Sequence, residues 1–234
     1  MAQTTTLTFF KYQGAKNKIW AFGMMQFAHR HLKDVPGLRF YKLLGSGKGS
    51  GFNPWPDYSI YSLLQVWESE QEADLFFEDS NLMKRYKDHS VEQWSLYMTP
   101  IKVDGLWSGQ NPFSNDVYPK LNHPEIAVIT RATIRKRLLR KFWSYVPTSE
   151  KPLINNEGLL YTKGIGEVPF LQMATFSLWK DEDSLKQFAY QSREHSKAIK
   201  MTRSLNWYKE EMFARFKPYK SVGTWQGVNP LASE

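Results

Sequence analysis

"SLLQVWESEQEADLFFEDS", residues 62 to 80, aligns without gaps to "ATFSLWKDEDSLKQFAYQS", residues 174 to 192. The alignment places Trp67 on Trp179, Phe76 on Phe188 and Ser80 on Ser192. Farther along, "GLWSGQNP" (105 to 112) matches "GTWQGVNP" (223 to 230), with Trp107 on Trp225 and Gly109 on Gly227. Two matches in the same order point to an internal duplication.

Working outward from the repeat, each half reads as one series of elements. In the first half "IWAFGMMQF" (19 to 27) reads as a strand, "AHRHLKDV" as a short helix, and "LRFYKLL" and "YSIYSLLQVW" as strands. A single helix from Glu68 to Ser90 and the strand "WSLYMTPIKV" complete it. In the second half "IAVITRATI" reads as a strand, "RKRLLRKFWSYV" as a helix, "LLYTKGI" and "FLQMATFSLW" as strands, Asp181 to about Trp207 as a long helix, and "EMFARFKPY" as the last strand. "SEQE" after Trp67 and "DEDS" after Trp179 supply the acidic and capping residues that helix starts favour. The pattern is β-α-β-β-α-β twice.

Each such unit makes a four-stranded antiparallel sheet with helices on one face, leaving the other face to be covered. The expected fold is therefore α+β: two fused ferredoxin-like repeats, packed as a pseudo-dimeric α/β barrel. The Pro- and Asn-rich "NPFSNDVYPKLNHPE" (111 to 125) marks the junction. This gives a first repeat over 1–113, a linker over 114–125 and a second repeat over 126–234.

Composition narrows the chemistry. The chain has 234 residues, no cysteine and a formal charge of +8, so disulfides, iron–sulfur ligation, thiolate-ligated haem and cysteine nucleophiles are excluded. The charge favours an acidic partner, and nine tryptophans suit either core filling or a large flat ligand. There is no 18-residue apolar run and no secretory signal, so a soluble cytoplasmic protein is expected. "GSGKGSG" (45 to 51) lacks the Ser or Thr that must follow the lysine of a phosphate loop, and reads as a glycine turn. His29 and His31, two apart, point in different directions on a helix and make a poor metal pair. The absence of an aromatic RNA-binding strand signature argues against nucleic acid. "RKRLLRKFW" (135 to 143) reads either as an amphipathic helix on its own sheet or as one that rests, with Phe142 and Trp143, on an anionic membrane at the inner face of the bilayer.

His195 is the residue that the repeat singles out. It shares a helical stripe with Phe188, Ser192 and Ile199, while Met83 stands at the equivalent place in the first half. A histidine present in one copy is not demanded by the fold. Read from the residues alone, it is either a satisfied core or surface histidine, or a metal ligand or acid–base group; as a ligand it would have Phe188 and Ile199 flanking a planar macrocycle and Ser192 leaving it room.

The blocks "FKYQGAKNKIWAFGMMQFA", "GLRFYKLLGSGKGSGF", "LWSGQNPF", "ITRATI", "KGIGEVPFLQMATFSLW", "WYKEEMFARF" and "GTWQGVNPLAS" run over nearly the whole chain. In them the sequence resembles the spheroidene monooxygenase family of carotenoid-oxidising enzymes. That resemblance implies a dimeric-α/β-barrel-type fold, a haem b whose iron is held by His195, and oxygen insertion into a lipophilic polyene such as an acyclic carotenoid, with an electron donor that the sequence does not name. Monooxygenase and peroxygenase chemistry both stay open, and the alternatives are a haem-binding or haem-handling protein without catalysis, or a haem enzyme on a smaller substrate. Arg131, on a strand face shared with Ala127, Ile129 and Thr133, is the candidate catalytic residue beside bound oxygen, a haem propionate partner, or an arginine that reaches out past the sheet edge. Lys163 and Glu167 in "KGIGEVP" are further haem-contacting candidates.

Overall fold

The computed structural model describes residues 3–50, 53, 55–114, 124–145, 156–191 and 206–231. Eight strands and their helices follow one another as β1 (Thr4–Lys11), α1 (Ala15–Phe27), α2 (His29–Leu32), β2 (Leu38–Gly47), β3 (Pro56–Trp67), α3 (Glu70–Asp79), α4 (Asn81–His89) and β4 (Glu92–Gly105) in the first half. The second half holds β5 (Ile126–Ile134), a 3-10 turn (Lys136–Leu138), α5 (Leu139–Tyr145), β6 (Leu159–Val168), β7 (Gln172–Trp179), α6 (Glu182–Gln191) and β8 (Tyr208–Gly223).

The strands form one closed antiparallel barrel in the order β1-β3-β2-β6-β7-β5-β8-β4. Within the first half the order is β4-β1-β3-β2, and within the second β8-β5-β7-β6. The halves join along β4 and β8 and through a shorter seam at Gly45↔Gly166 and Ser46↔Ile165. At the ends of β4 and β8 stand Gly105 and Gly223, with φ of +95° and +85°. A Cβ there would lie 2.2 Å from the carbonyl oxygen of Glu211 and of Gln93 respectively, so only glycine lets the crossing strands approach this closely.

Two of the sequence expectations need correction. The first strand is not 19–27 but Thr4–Lys11, and the apolar stretch 19–27 is the body of α1. Its buried residues Ala21 and Met24, with Ala28 beyond, recur at helical spacing, whereas "TTTLTFFK" alternates faces, Leu7 and Phe9 going inward and Phe10 outward. The helix expected over 68–90 is two helices. Ser80 has extended backbone (φ −66°, ψ 125°), and its hydroxyl accepts the amides of Leu82 and Met83 as the cap of α4.

Side-chain alternation along the strands divides the core into an inside and two outsides. Leu7, Phe9 and Trp94 from the first half and Ile129, Phe176 and Phe216 from the second meet inside the barrel, where Trp107 and Trp225 also insert. Truncating any one of these aromatics costs roughly 3–5 kcal/mol. Outside the first half, Phe10, Leu43, Leu63 and Trp67 are buried against helices α1 to α4. Outside the second half, Ile126, Val128 and Trp179 pack against Leu185 and Phe188 of α6. Among the described residues no helix is long and apolar enough to cross a membrane.

Candidate functional site

Strand β5 carries Ala127, Ile129 and Arg131 inward, so Arg131 enters the barrel from the same side as the core. It is 2% exposed. Its guanidinium donates to Glu210, lies 3.5 Å from Glu167 Oε1 and covers the Trp107 ring at 5.7 Å. Glu167 accepts the Trp107 indole N–H at 2.7 Å and pairs with Lys42 Nζ at 2.6 Å. Glu210 accepts the amides of Ser108 at 3.0 Å and Gly109 at 2.7 Å. Burial works to raise the Glu210 carboxyl, but those two amides and the Arg131 charge outweigh it and hold the group below the ordinary glutamate value. Two cations and two carboxylates thus tie β2, β5, β6 and β8 together around one tryptophan.

Lys163 also points inward and is buried, donating to the Gly49 carbonyl at 2.9 Å and to Asp57 Oδ2 at 3.3 Å. Burial opposes ionisation of Asp57, and hydrogen bonds from Ser59 with the Lys163 charge overcome it, leaving the carboxyl below its ordinary value. The structure therefore brings Arg131 and Glu167 together and gives Lys163 a different carboxylate. Sequence reasoning missed Glu210, Lys42 and Asp57. The signal for Glu210 was in the repeat: Glu92, its counterpart, accepts the Gly227 amide at 2.9 Å in the matching turn.

The opposite face of the same sheet is where α6 lies. Asp181 caps it by accepting the Ser184 amide at 2.7 Å, and Phe188 packs on Trp179 with ring centroids 5.1 Å apart. Phe188 and Arg131 are thus on opposite sides of the sheet. Ser192, His195 and Ile199 lie outside the described residues.

Beyond α6 this outer face changes character. Register pairs Thr130 with Thr175, Ala132 with Met173, and Gly164 with Thr175. The equivalent pairs in the first half are Thr8 with Leu63, Phe10 with Tyr61, and Leu43 with Leu63. There Phe10, Leu43 and Leu63 are buried, and Phe10 stacks on Tyr86 of α4 at 4.5 Å. In the second half Thr130 is exposed, Ala132 and Thr175 are half-buried, and Thr175 Oγ1 has no hydrogen-bond partner among the described residues. The face is therefore lined by small residues at Thr130, Ala132, Gly164 and Thr175, with Met173 the large side chain beside them. No group of three or more metal-ligating side chains occurs among the described residues.

An apolar cleft of about 190 Å³ runs beside this face, between α1 and the β6–β7 hairpin. Phe22, Met25, Tyr58 and Trp143 line it together with Gly164, Gly166 and Met173, so it opens directly onto the small-residue face.

No protein-family model matches the chain. Spheroidene monooxygenase of Rhodobacter capsulatus is 34% identical over 231 residues, covering 98% of this chain and 95% of that protein. Spheroidene monooxygenase of Cereibacter sphaeroides is 34% identical over 230 residues, covering 98% and 71%. That of Rubrivivax gelatinosus is 31% identical over 210 residues, covering 90% and 80%. Among solved structures, an aldoxime dehydratase superposes with a TM-score of 0.62 at 10% identity, over 94% of this chain and 83% of that one. That likeness is one of fold.

Proposed function

The chain belongs to the spheroidene monooxygenase family and is an oxidoreductase of the monooxygenase type; from that premise we propose that it inserts oxygen into an acyclic, lipophilic polyene with the help of a haem b. The identity sustained along nearly the whole of both chains supports the oxygen insertion into a carotenoid-like polyene; the haem is our own addition to that reading. Haem, when bound, supplies an iron centre at which the oxidant is activated.

The residues of this chain have separate tasks in the proposal. His195, as neutral imidazole, would hold the iron, with Phe188, Ser192 and Ile199 assigned as further haem-binding residues. Thr130, Ala132, Gly164, Gly166 and Thr175 would supply the face for the ring, with the Thr175 hydroxyl as a polar group there. The apolar cleft admits the polyene and excludes water from the reacting end. Arg131, Glu167 and Lys163 are engaged in ion pairs inside the barrel. We assign them a positioning role, fixing strands β5 and β6 from behind the face.

We further infer that the barrel is a fused pair of ferredoxin-like repeats, 1–113 and 126–234, joined by the linker 114–125. The matching strand orders and the matching Glu92 and Glu210 turn contacts support that reading.

The test is an absorbance spectrum and a turnover assay on the purified chain supplied with haem. The wild type is expected to show a Soret band and oxidise an acyclic carotenoid, and His195→Ala to lose both. A wild type that takes up no haem, or a His195→Ala protein with an unchanged imidazole-type spectrum, overturns the assignment.

A further inference from the structure

The mouth of the apolar cleft is ringed by large side chains that the fold leaves in water. Phe22 is 62% exposed, Trp55 65%, Tyr58 54% and Phe170 40%. They form two groups on the lips of the same cleft: Phe22 meets Tyr58 at 6.1 Å on one side, and on the other Trp55 meets Phe170 at 6.4 Å and Phe170 meets Trp143 at 6.0 Å, the Trp143 indole donating to the Phe170 carbonyl. Ile19, 72% exposed, extends the rim one turn back along α1. Contiguous apolar surface of this kind on a folded domain marks an interaction site.

The charges around the rim have one sign. Lys18 precedes Phe22 by a turn of α1, Lys48 is hydrogen-bonded through its amide to the Trp55 carbonyl, and Arg140 and Lys141 are exposed on α5 next to Trp143. The carboxylates that line the cleft, Asp57 and Glu167, are already paired with Lys163 and Lys42. Phe142, adjacent to these cations in sequence, is buried against Ile134 and Trp207, so the apolar contribution comes from the rim and not from that residue.

Aromatic rings flanked by cations that have no ion-pair partner among the described residues suit one partner better than any other: an interface of anionic lipid headgroups over acyl chains. We propose that this rim docks the protein on an anionic bilayer, with the cleft mouth facing the acyl region. The inference rests on the proposed function only for what passes through the mouth. An acidic protein partner would use the cations but has no need of an aromatic ring around an open apolar cleft.

The experiment is co-sedimentation of the full chain with phosphatidylcholine vesicles, with and without phosphatidylglycerol, at low and high salt. Binding is expected to need the anionic lipid and to weaken with salt. Arg140→Ser with Lys141→Ser should weaken it by roughly 25-fold, about fivefold for each cation. Trp55→Ser with Phe170→Ser should weaken it at least about tenfold, by loss of buried apolar area. Acyl-chain-brominated lipid should quench tryptophan emission, and less so in Trp55→Phe. Binding that survives the aromatic substitutions, quenching unchanged in Trp55→Phe, or no binding to either vesicle overturns the proposal. Far-UV spectra confirm that each variant is folded. Haem content read on the same samples separates this result from the haem assignment: vesicle binding without a Soret band would sink that assignment and leave the docking surface standing.

Discussion

Replacing Arg131 with methionine keeps the volume inside the barrel and removes the charge that two carboxylates share. Breaking a buried ion pair from one side costs about 3–5 kcal/mol, because the remaining charge is left without compensation. Here the carboxylates keep other partners: Glu210 has the amides of Ser108 and Gly109, and Glu167 has Lys42 and the Trp107 indole. Both also retain about a fifth of their side-chain exposure, 21% and 18%. The loss should fall at the lower end, about 3 kcal/mol, which lowers the melting temperature of a domain this size by roughly 6–12 °C. Removing both charges, in Arg131→Met with Glu210→Gln, leaves one carboxylate fewer uncompensated and should recover about 1–2 kcal/mol of that loss. The pH dependence has a definite sign. Because Glu210 is held below its ordinary value, its contribution is complete above the unfolded glutamate value and disappears as pH falls through the lowered one. The difference between wild type and variant should therefore shrink in acid. Urea and thermal unfolding followed by circular dichroism measure all of this. An Arg131→Met protein within about 1 kcal/mol of wild type, or strictly additive single and double substitutions, would refute the reasoning.

Two further outcomes follow from the faces of the barrel. Ala132→Phe puts back on the second sheet the ring that Phe10 supplies to the first, and should reduce haem uptake at least about tenfold in a titration while leaving a folded protein, since overpacking of a half-exposed face is tolerated better than in the core. Full haem uptake would show that this face does not seat the ring. Gly223→Ala must place its Cβ 2.2 Å from the Gln93 carbonyl, while Gly227→Ala, also at positive φ, meets nothing within 4 Å. The first should lower the melting temperature clearly more than the second, whose cost is about 1 kcal/mol; equal losses would mean that backbone conformation alone demands glycine at the seam.

Much of the barrel is legible in the sequence because a strand that is half-buried repeats every two residues, and because two stretches of the chain match two others in the same order. "IAVITRATI" reads correctly by its alternation, and "FLQMATFSLW" reads correctly from Gln172 onward, Phe170 belonging to the preceding turn. The first strand was misplaced for a physical reason. "TTTLTFFK" is polar in composition, yet its threonines are buried because both faces are covered, while α1 leaves Ile19, Phe22 and Phe27 in water. Hydrophobicity alone therefore points to α1 as the core element. The break at Ser80 was visible only as a capping residue, since "DSNLM" continues a helical pattern across it.

The site is less legible, and the reason is geometric. Sequence periodicity places Arg131 on one strand face with Ala127 and Ile129, but period two does not say which face looks inward. Only the closed register does, and it puts Arg131 in the barrel, opposite α6. Partners that come from turns of the other half, such as the Ser108 and Gly109 amides on Glu210, leave no mark in local pattern at all. What the repeat does reveal is contrast. Where the first copy fills its outer face with Phe10, Leu43 and Leu63 under helices, and seats Met83 in the buried layer of α4, the second has Ala132, Gly164, Thr175 and His195 at the matching positions. A fold that needed only stability would have kept bulky packing in both copies. Exchanging it for small residues in one copy gives up burial worth about 1.5–3 kcal/mol per side chain, and a bound group that covers the same area is what can restore it.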